Sequence, residues 1–411
     1  MRCIATFALT TAMLATDLVA GPQQFVAAEA VARRDPYLGG GALALDAAGY
    51  VGRGPFEFGT NHASSDIAEL LPDEPLLWLE TAHSRVGCAL PAVAVAGSRQ
   101  WQEHLRAELT VLAGKLPGVD PKTRTLDPFL RAHLCAQRLE VLYADVLQLL
   151  GRDEAEFPSP PGHDPRRPEQ FLGLGRHLGM PQKFTVLLLQ KGANLQRYTA
   201  AHHGWASADP TTFLDSRVGS LRFVAAGDTA HGIGKDEEVL ATLLTYHVAH
   251  ALYSGYRSFG HLLPAWLPRG LALRHARQVS TTVPVMPTRD EAEREHYRQW
   301  SKQLAVMRKD WSFAPLAELF DVVDEQRLDQ QRSLQSWALV EWLAAERPAQ
   351  LRAFVHAMKA PFHDRLRFPT NDELLARQRE ALLAAFEVDA DGLELLWRQQ
   401  AGPRTKAKRR R

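Results

Sequence analysis

The chain is poor in the features that most readily betray a function. It has three cysteines in 411 residues, and their spacing fits no zinc knuckle. The uncharged stretch at residues 4–16 falls short of the roughly 20 apolar residues a membrane helix needs, so nothing points to a multispan membrane protein. Neither sign of charge dominates, with 48 Lys and Arg against 47 Asp and Glu. No base-stacking or groove-reading motif supports a sequence-specific nucleic-acid protein. There is no G-x-S-x-G elbow and no P-loop, and Gly173-Leu174-Gly175 lacks the third glycine of a dinucleotide turn. No internal repeat is present.

What remains is an ordinary globular composition, 45% hydrophobic and 23% charged, with informative ends. Arg2, the uncharged run 4–16 and the A-x-A pattern at Ala28-Glu29-Ala30 read as a secretory leader spanning residues 1–30, although Asp17 interrupts it. Export to a periplasm or the extracellular space is the expected localisation. Cys3 then leaves with the leader, and Cys88 and Cys135 remain, either as one disulfide or as two reduced core thiols. At the other end, Arg404, Lys406, Lys408, Arg409, Arg410 and Arg411 form a basic tail over residues 403–411 and leave the rest of the chain net acidic. Such a run is most simply a solvated tail, with binding to an anionic envelope surface as the alternative.

Between the ends, residues 31–70 are rich in Gly, Ala and Asp without periodicity and read as a flexible connector. An N-terminal region of strand and helices follows over 71–165, with an apolar strand at 76–86 and helical spacing through Trp101, Leu105, Leu109 and Leu112 and again over 136–150. Five prolines within 157–168 make a loop. A core at 166–280 carries strands at 183–189 and 219–225 and a helix at 236–253. A helical region at 281–402 opens on a break at 281–290 and continues with helices at 291–308, 328–345, 349–358, 372–386 and 391–399.

The chemistry concentrates in Tyr246-His247-Val248-Ala249-His250 and in Trp266-Leu267-Pro268-Arg269-Gly270-Leu271-Ala272. Residues four apart share one helix face, so Tyr246 and His250 stand where two imidazoles would grip one zinc in an H-E-x-x-H helix. A phenol with an ordinary pKa of about 10 must lose a proton before it can ligate. His247 occupies the place of the glutamate that takes a proton from zinc-bound water. The same histidines, three apart, also share a face, and with His202, His203, His231, His261 or His275 they allow a rebuilt metal site.

These two segments resemble the active-site frame of the peptidase MA-like gluzincins, a zinc metallopeptidase superfamily. The second is similar to its W-L-x-E-G-L-A signature, in which the glutamate before the glycine completes the zinc site. Arg269 stands there, and a guanidinium has no lone pair to donate. Residues 79–86 are similar to the strand that opens exported members, 183–189 with 193–199 to a strand and short helix, and Ser333-Leu334-Gln335-Ser336-Trp337 to a Y-x-Q-S-W helix with Ser333 in place of tyrosine. The resemblance implies an α+β fold, with a gluzincin-like zincin core of a small mixed sheet plus the active-site helix pair, followed by a helical C-terminal region. It also implies that Tyr246, His247, His250, Arg269 and Ser333 are vestigial positions, with no catalytic residue and no cofactor expected; any metal would fall to His250 with His247. The expected role is binding or structural, toward an unknown protein, peptide or envelope ligand, with an active zinc hydrolase of substituted ligand set as the alternative.

Overall fold

The computed structural model describes residues 35–38, 42–59, 61–158, 171–215, 219–229, 232–258, 260, 262–285, 291–361 and 368–401. The expected leader and basic tail, and with them His231 and His261, lie outside these residues. The one unit boundary falls after Pro36, and residues from Tyr37 onward form one compact unit.

That unit is α+β. Strands β1 (Leu77–Glu80), β2 (Ser84–Cys88), β5 (Phe184–Leu189), β6 (Thr211–Asp215) and β7 (Ser220–Ala226) form a five-stranded mixed sheet in the order β1-β2-β5-β7-β6. β2, β5 and β7 run parallel, and the two edge strands are antiparallel to their neighbours. β3 (Val93–Ala94) and β4 (Thr125–Leu126) pair separately. The central strands β5 and β7 are buried at every residue, which is why they read as unbroken apolar runs. Alternation divides their side chains between two layers. Leu187, Leu189, Val224 and Ala226 pack with Phe58, Ile67 and Tyr198 on one face. Val186, Leu188, Phe223 and Ala225 join the large core on the other.

The described residues also form fourteen α-helices: α1 (Ala42–Ala47), α2 (Ser64–Leu70), α3 (Arg99–Ala113), α4 (Pro128–Leu150), α5 (Gly192–His203), α6 (Glu237–Gly255), α7 (Trp266–Val279), α8 (Glu291–Arg298), α9 (Trp300–Asp310), α10 (Leu316–Phe320), α11 (Gln330–Glu346), α12 (Pro348–Met358), α13 (Asn371–Phe386) and α14 (Ala390–Ala401). Their ends follow local chemistry. Asp127 caps α4 by accepting from the Leu130 amide at 3.0 Å, and Gly151, with φ of 61°, ends the helix in the left-handed conformation. Asp236 accepts from the amides of Glu238 and Val239 and starts α6. α6 packs on α7, and α7 on α11. Gly270 permits the second crossing, since a Cβ there would lie 2.6 Å from the Ser336 carbonyl oxygen and 2.7 Å from Val340 Cγ2.

Several expectations need correction. The single strand at 76–86 is a hairpin, β1 and β2, turned at Thr81–His83, where the Thr81 hydroxyl donates to the Ser84 carbonyl. The flexible connector expected at 31–70 is folded where it is described: it holds α1 and α2 and buries Leu38, Tyr50, Phe58 and Ile67. Those apolar residues follow no period, and only tertiary packing gives them a place. The helix at 291–308 breaks at Gln299 into α8 and α9. Of the two alternatives left open for Cys88 on β2 and Cys135 on α4, the structure has the second: two buried free thiols within hydrogen-bonding reach. Among the described residues no helix is long and apolar enough to cross a membrane.

Candidate functional site

α6 carries Tyr246, His247 and His250 within one turn, and α7 brings Arg269 against them in its first turn. The third contributor is Glu325, which opens a short 3-10 turn, Glu325–Arg327, capped by the Asp324 carboxylate accepting from the Gln326 amide at 2.9 Å. His250 Nε2 lies 2.9 Å from Glu325 Oε2. Arg269 Nε lies 3.0 Å from Glu325 Oε1, an ion pair in which the N–H does not point along the contact, and its Nη2 donates to the Glu325 backbone carbonyl at 3.4 Å. One carboxylate therefore joins an imidazole on α6 to a guanidinium on α7.

Burial opposes the charge on Glu325, but His250 above all, then Arg269 and His247, outweigh it and hold the carboxyl down at about 2. Tyr246 is buried, and that burial keeps its phenol well above its ordinary value despite the pull of Arg269. At neutral pH the phenol is protonated. His247 stacks on Phe223 of β7, with ring centroids 4.7 Å apart and planes 15° apart, so the ring expected in the general-base position lies against the sheet. Ser333 is fully buried, and its hydroxyl donates to the Leu328 carbonyl at 3.4 Å, fastening the start of α11.

The sequence-derived residues thus divide. His247, His250 and Arg269 act on one carboxylate, Tyr246 lies beside them as a neutral phenol, and Ser333 is engaged with backbone. Sequence reasoning missed Glu325. It stands outside any motif, and its only local signal is the Asp324-Glu325 pair at a helix start. The other described histidines belong elsewhere: His202 stacks on His62 at 3.8 Å, His203 accepts from Arg222 at 3.1 Å, and His275 bonds to Tyr253 at 2.8 Å. Burial, reinforced by Arg222, pushes His62 to about 2 and His203 to about 3, so these rings are neutral at ordinary pH.

A zinc ion of the gluzincin kind does not fit these residues. The phenol at 246 keeps its proton, His250 Nε2 is committed to Glu325, and the remaining ligand position carries a cation. What the arrangement supports chemically is a hydrogen-bonded ion cluster that ties α6, α7 and the 325–327 turn together. A scan against protein-family models, a search of curated proteins and a search of solved structures each found no match for this chain.

Proposed function

We propose that this is an exported, gluzincin-like protein that has exchanged zinc peptidase chemistry for an internal ion cluster and serves a binding or structural role. The observation that carries the reading is the meeting of His250, Arg269 and Glu325. In a metallopeptidase of this kind a dication holds the two helices together at that point. Here the guanidinium of Arg269 supplies the positive charge and Glu325 supplies the anion that His250 and Arg269 share. Such an arrangement preserves the cross-link between the helices while removing the open coordination position that activates water. The order of events along the chain supports the same frame, with a strand, then the helix bearing Tyr246 and His250, then the helix bearing Arg269 and Gly270.

The test is to rebuild the ligand set. Tyr246→His, His247→Glu and Arg269→Glu together restore two imidazoles, a base and a third anionic ligand. Glu325→Ala is added because its carboxylate now occupies His250 and would repel a new glutamate at 269. We expect the fourfold variant to bind about one zinc per chain, and the triple variant to bind more weakly. A fourfold variant that is folded by circular dichroism yet binds no zinc would show that the helices do not converge as in gluzincins.

A further inference from the structure

A second place in the molecule has the features of a ligand site and shares no residue with the ion cluster. α4, α7, α11 and α12 line a half-open cavity of about 290 Å³, at the lower edge of the volumes that small-molecule sites occupy. Asp145, Arg274, His275 and Arg352 supply its charged and polar wall, and Leu149 and Leu351 part of its apolar wall.

His275 is only 5% exposed, and its Nε2 lies 2.8 Å from the Tyr253 hydroxyl. Burial holds the Tyr253 phenol far above its ordinary value, so it keeps its proton. Burial, with Arg274 beside it, pushes His275 down to about 4, so the ring is neutral. Nε2 is the one acceptor within reach of the Tyr253 hydroxyl among the described residues, so the hydroxyl is assigned as the donor and the ring proton falls on Nδ1. That N–H has no hydrogen-bond partner among the described residues, although the ring lines the cavity.

The charges are arranged to a purpose. Arg274 is already neutralised by Glu341 on α11. Arg352 donates Nε to the Leu149 carbonyl at 2.9 Å and Nη2 to the Gln148 carbonyl at 3.2 Å, and no carboxylate pairs with it. Asp145 has neither an ion pair nor a hydrogen bond among the described residues, and burial raises its carboxyl above the ordinary range. The uncompensated charges on the wall are therefore one cation, Arg352, and one anion, Asp145, which do not pair with each other.

We propose that this cavity binds a small zwitterion of the α-amino-acid class, its carboxylate received by Arg352 and the His275 Nδ1–H and its ammonium by Asp145. A ligand carrying one charge of each sign leaves neither wall charge unpaired, whereas a simple anion or amine leaves one. The apolar residues receive the side chain.

The experiment titrates the full chain calorimetrically with each standard amino acid, then repeats any binder as its N-acetyl and its amide derivative. At least one amino acid is expected to bind with a Kd below about 1 mM, and each derivative to bind about tenfold more weakly or worse. Asp145→Asn, a change at a rim group with no hydrogen bond or ion pair among the described residues, is expected to weaken the amino acid about tenfold, leave the N-acetyl derivative unaffected and leave the unliganded Tm unchanged. Absence of binding by every amino acid overturns the proposal. So does an N-acetyl derivative that binds as tightly as its parent, or an amino acid whose affinity Asp145→Asn leaves intact.

Discussion

Helix α6 carries two ion clusters, and they differ in how far water reaches them. Near its start, Glu237 accepts from Arg131 Nε at 2.8 Å and from Arg138 Nη1 at 2.6 Å, while Arg138 also grips Glu108 at 2.8 and 2.7 Å. Arg131 spends its other N–H groups on the carbonyls of Pro91, Ile233 and Gly234. The Glu237 and Arg131 side chains are 2% and 0% exposed. Three turns on, His250, Arg269 and Glu325 are 24%, 13% and 33% exposed. The first cluster is sealed, its donors nearly all used, and it fixes α4, α6 and the 233–234 backbone. The second retains contact with solvent. A sealed ion network is a structural element; an open one with an imidazole and a carboxylate is where a former site would be expected.

The largest effect should come from breaking the sealed cluster. Glu237→Ala leaves the buried Arg131 guanidinium without a carboxylate and takes one of its two carboxylates from Arg138, and should cost about 3–5 kcal/mol in urea unfolding. A loss below about 1 kcal/mol would erase the distinction between the clusters. Next comes Gly270→Ala, which forces a Cβ toward the Ser336 carbonyl at the α7–α11 crossing and displaces the helix that presents Arg269. Overpacking of this kind should cost about 1–3 kcal/mol and weaken the Arg269–Glu325 pair, seen as a smaller further loss when Glu325→Gln is added.

Glu325→Gln alone should cost only about 1 kcal/mol, because its cluster is partly solvated. Its signature is pH dependence. The folded carboxyl is held at about 2, below the ordinary glutamate value of about 4.3, so its contribution is complete above that value and fades as pH falls toward 2. The stability gap between wild type and Glu325→Gln should therefore shrink from pH 5 to pH 2, within about those limits. A gap constant over that window would mean that the carboxylate is not held by its neighbours. The smallest effect concerns Cys88 and Cys135, which are 1% and 0% exposed. Neither thiol should be alkylated in the native protein, and both should react in denaturant without reductant.

Much of the frame was legible in the chain. The apolar runs of β5 and β7 and the helical spacing of α4 and α6 are local patterns. Glu325 was not legible, because its part in the cluster depends on a turn more than fifty residues from Arg269 in sequence returning to α7. The burial of Phe58 and Ile67 was hidden for a related reason: short, aperiodic stretches gain their order from the sheet face they cover, not from their own sequence. The Arg131–Glu237 pair was equally silent, since long-range ion pairs leave no spacing to read.

The central claim is that charge from Arg269 and Glu325 now stands where zinc would. The most direct test is elemental analysis of the full chain purified without added metal, alongside His250→Ala. The account predicts zinc well below one per chain in both, with no change in Tm on adding a chelator. Close to one zinc per chain in the wild type, lost in His250→Ala, would contradict it.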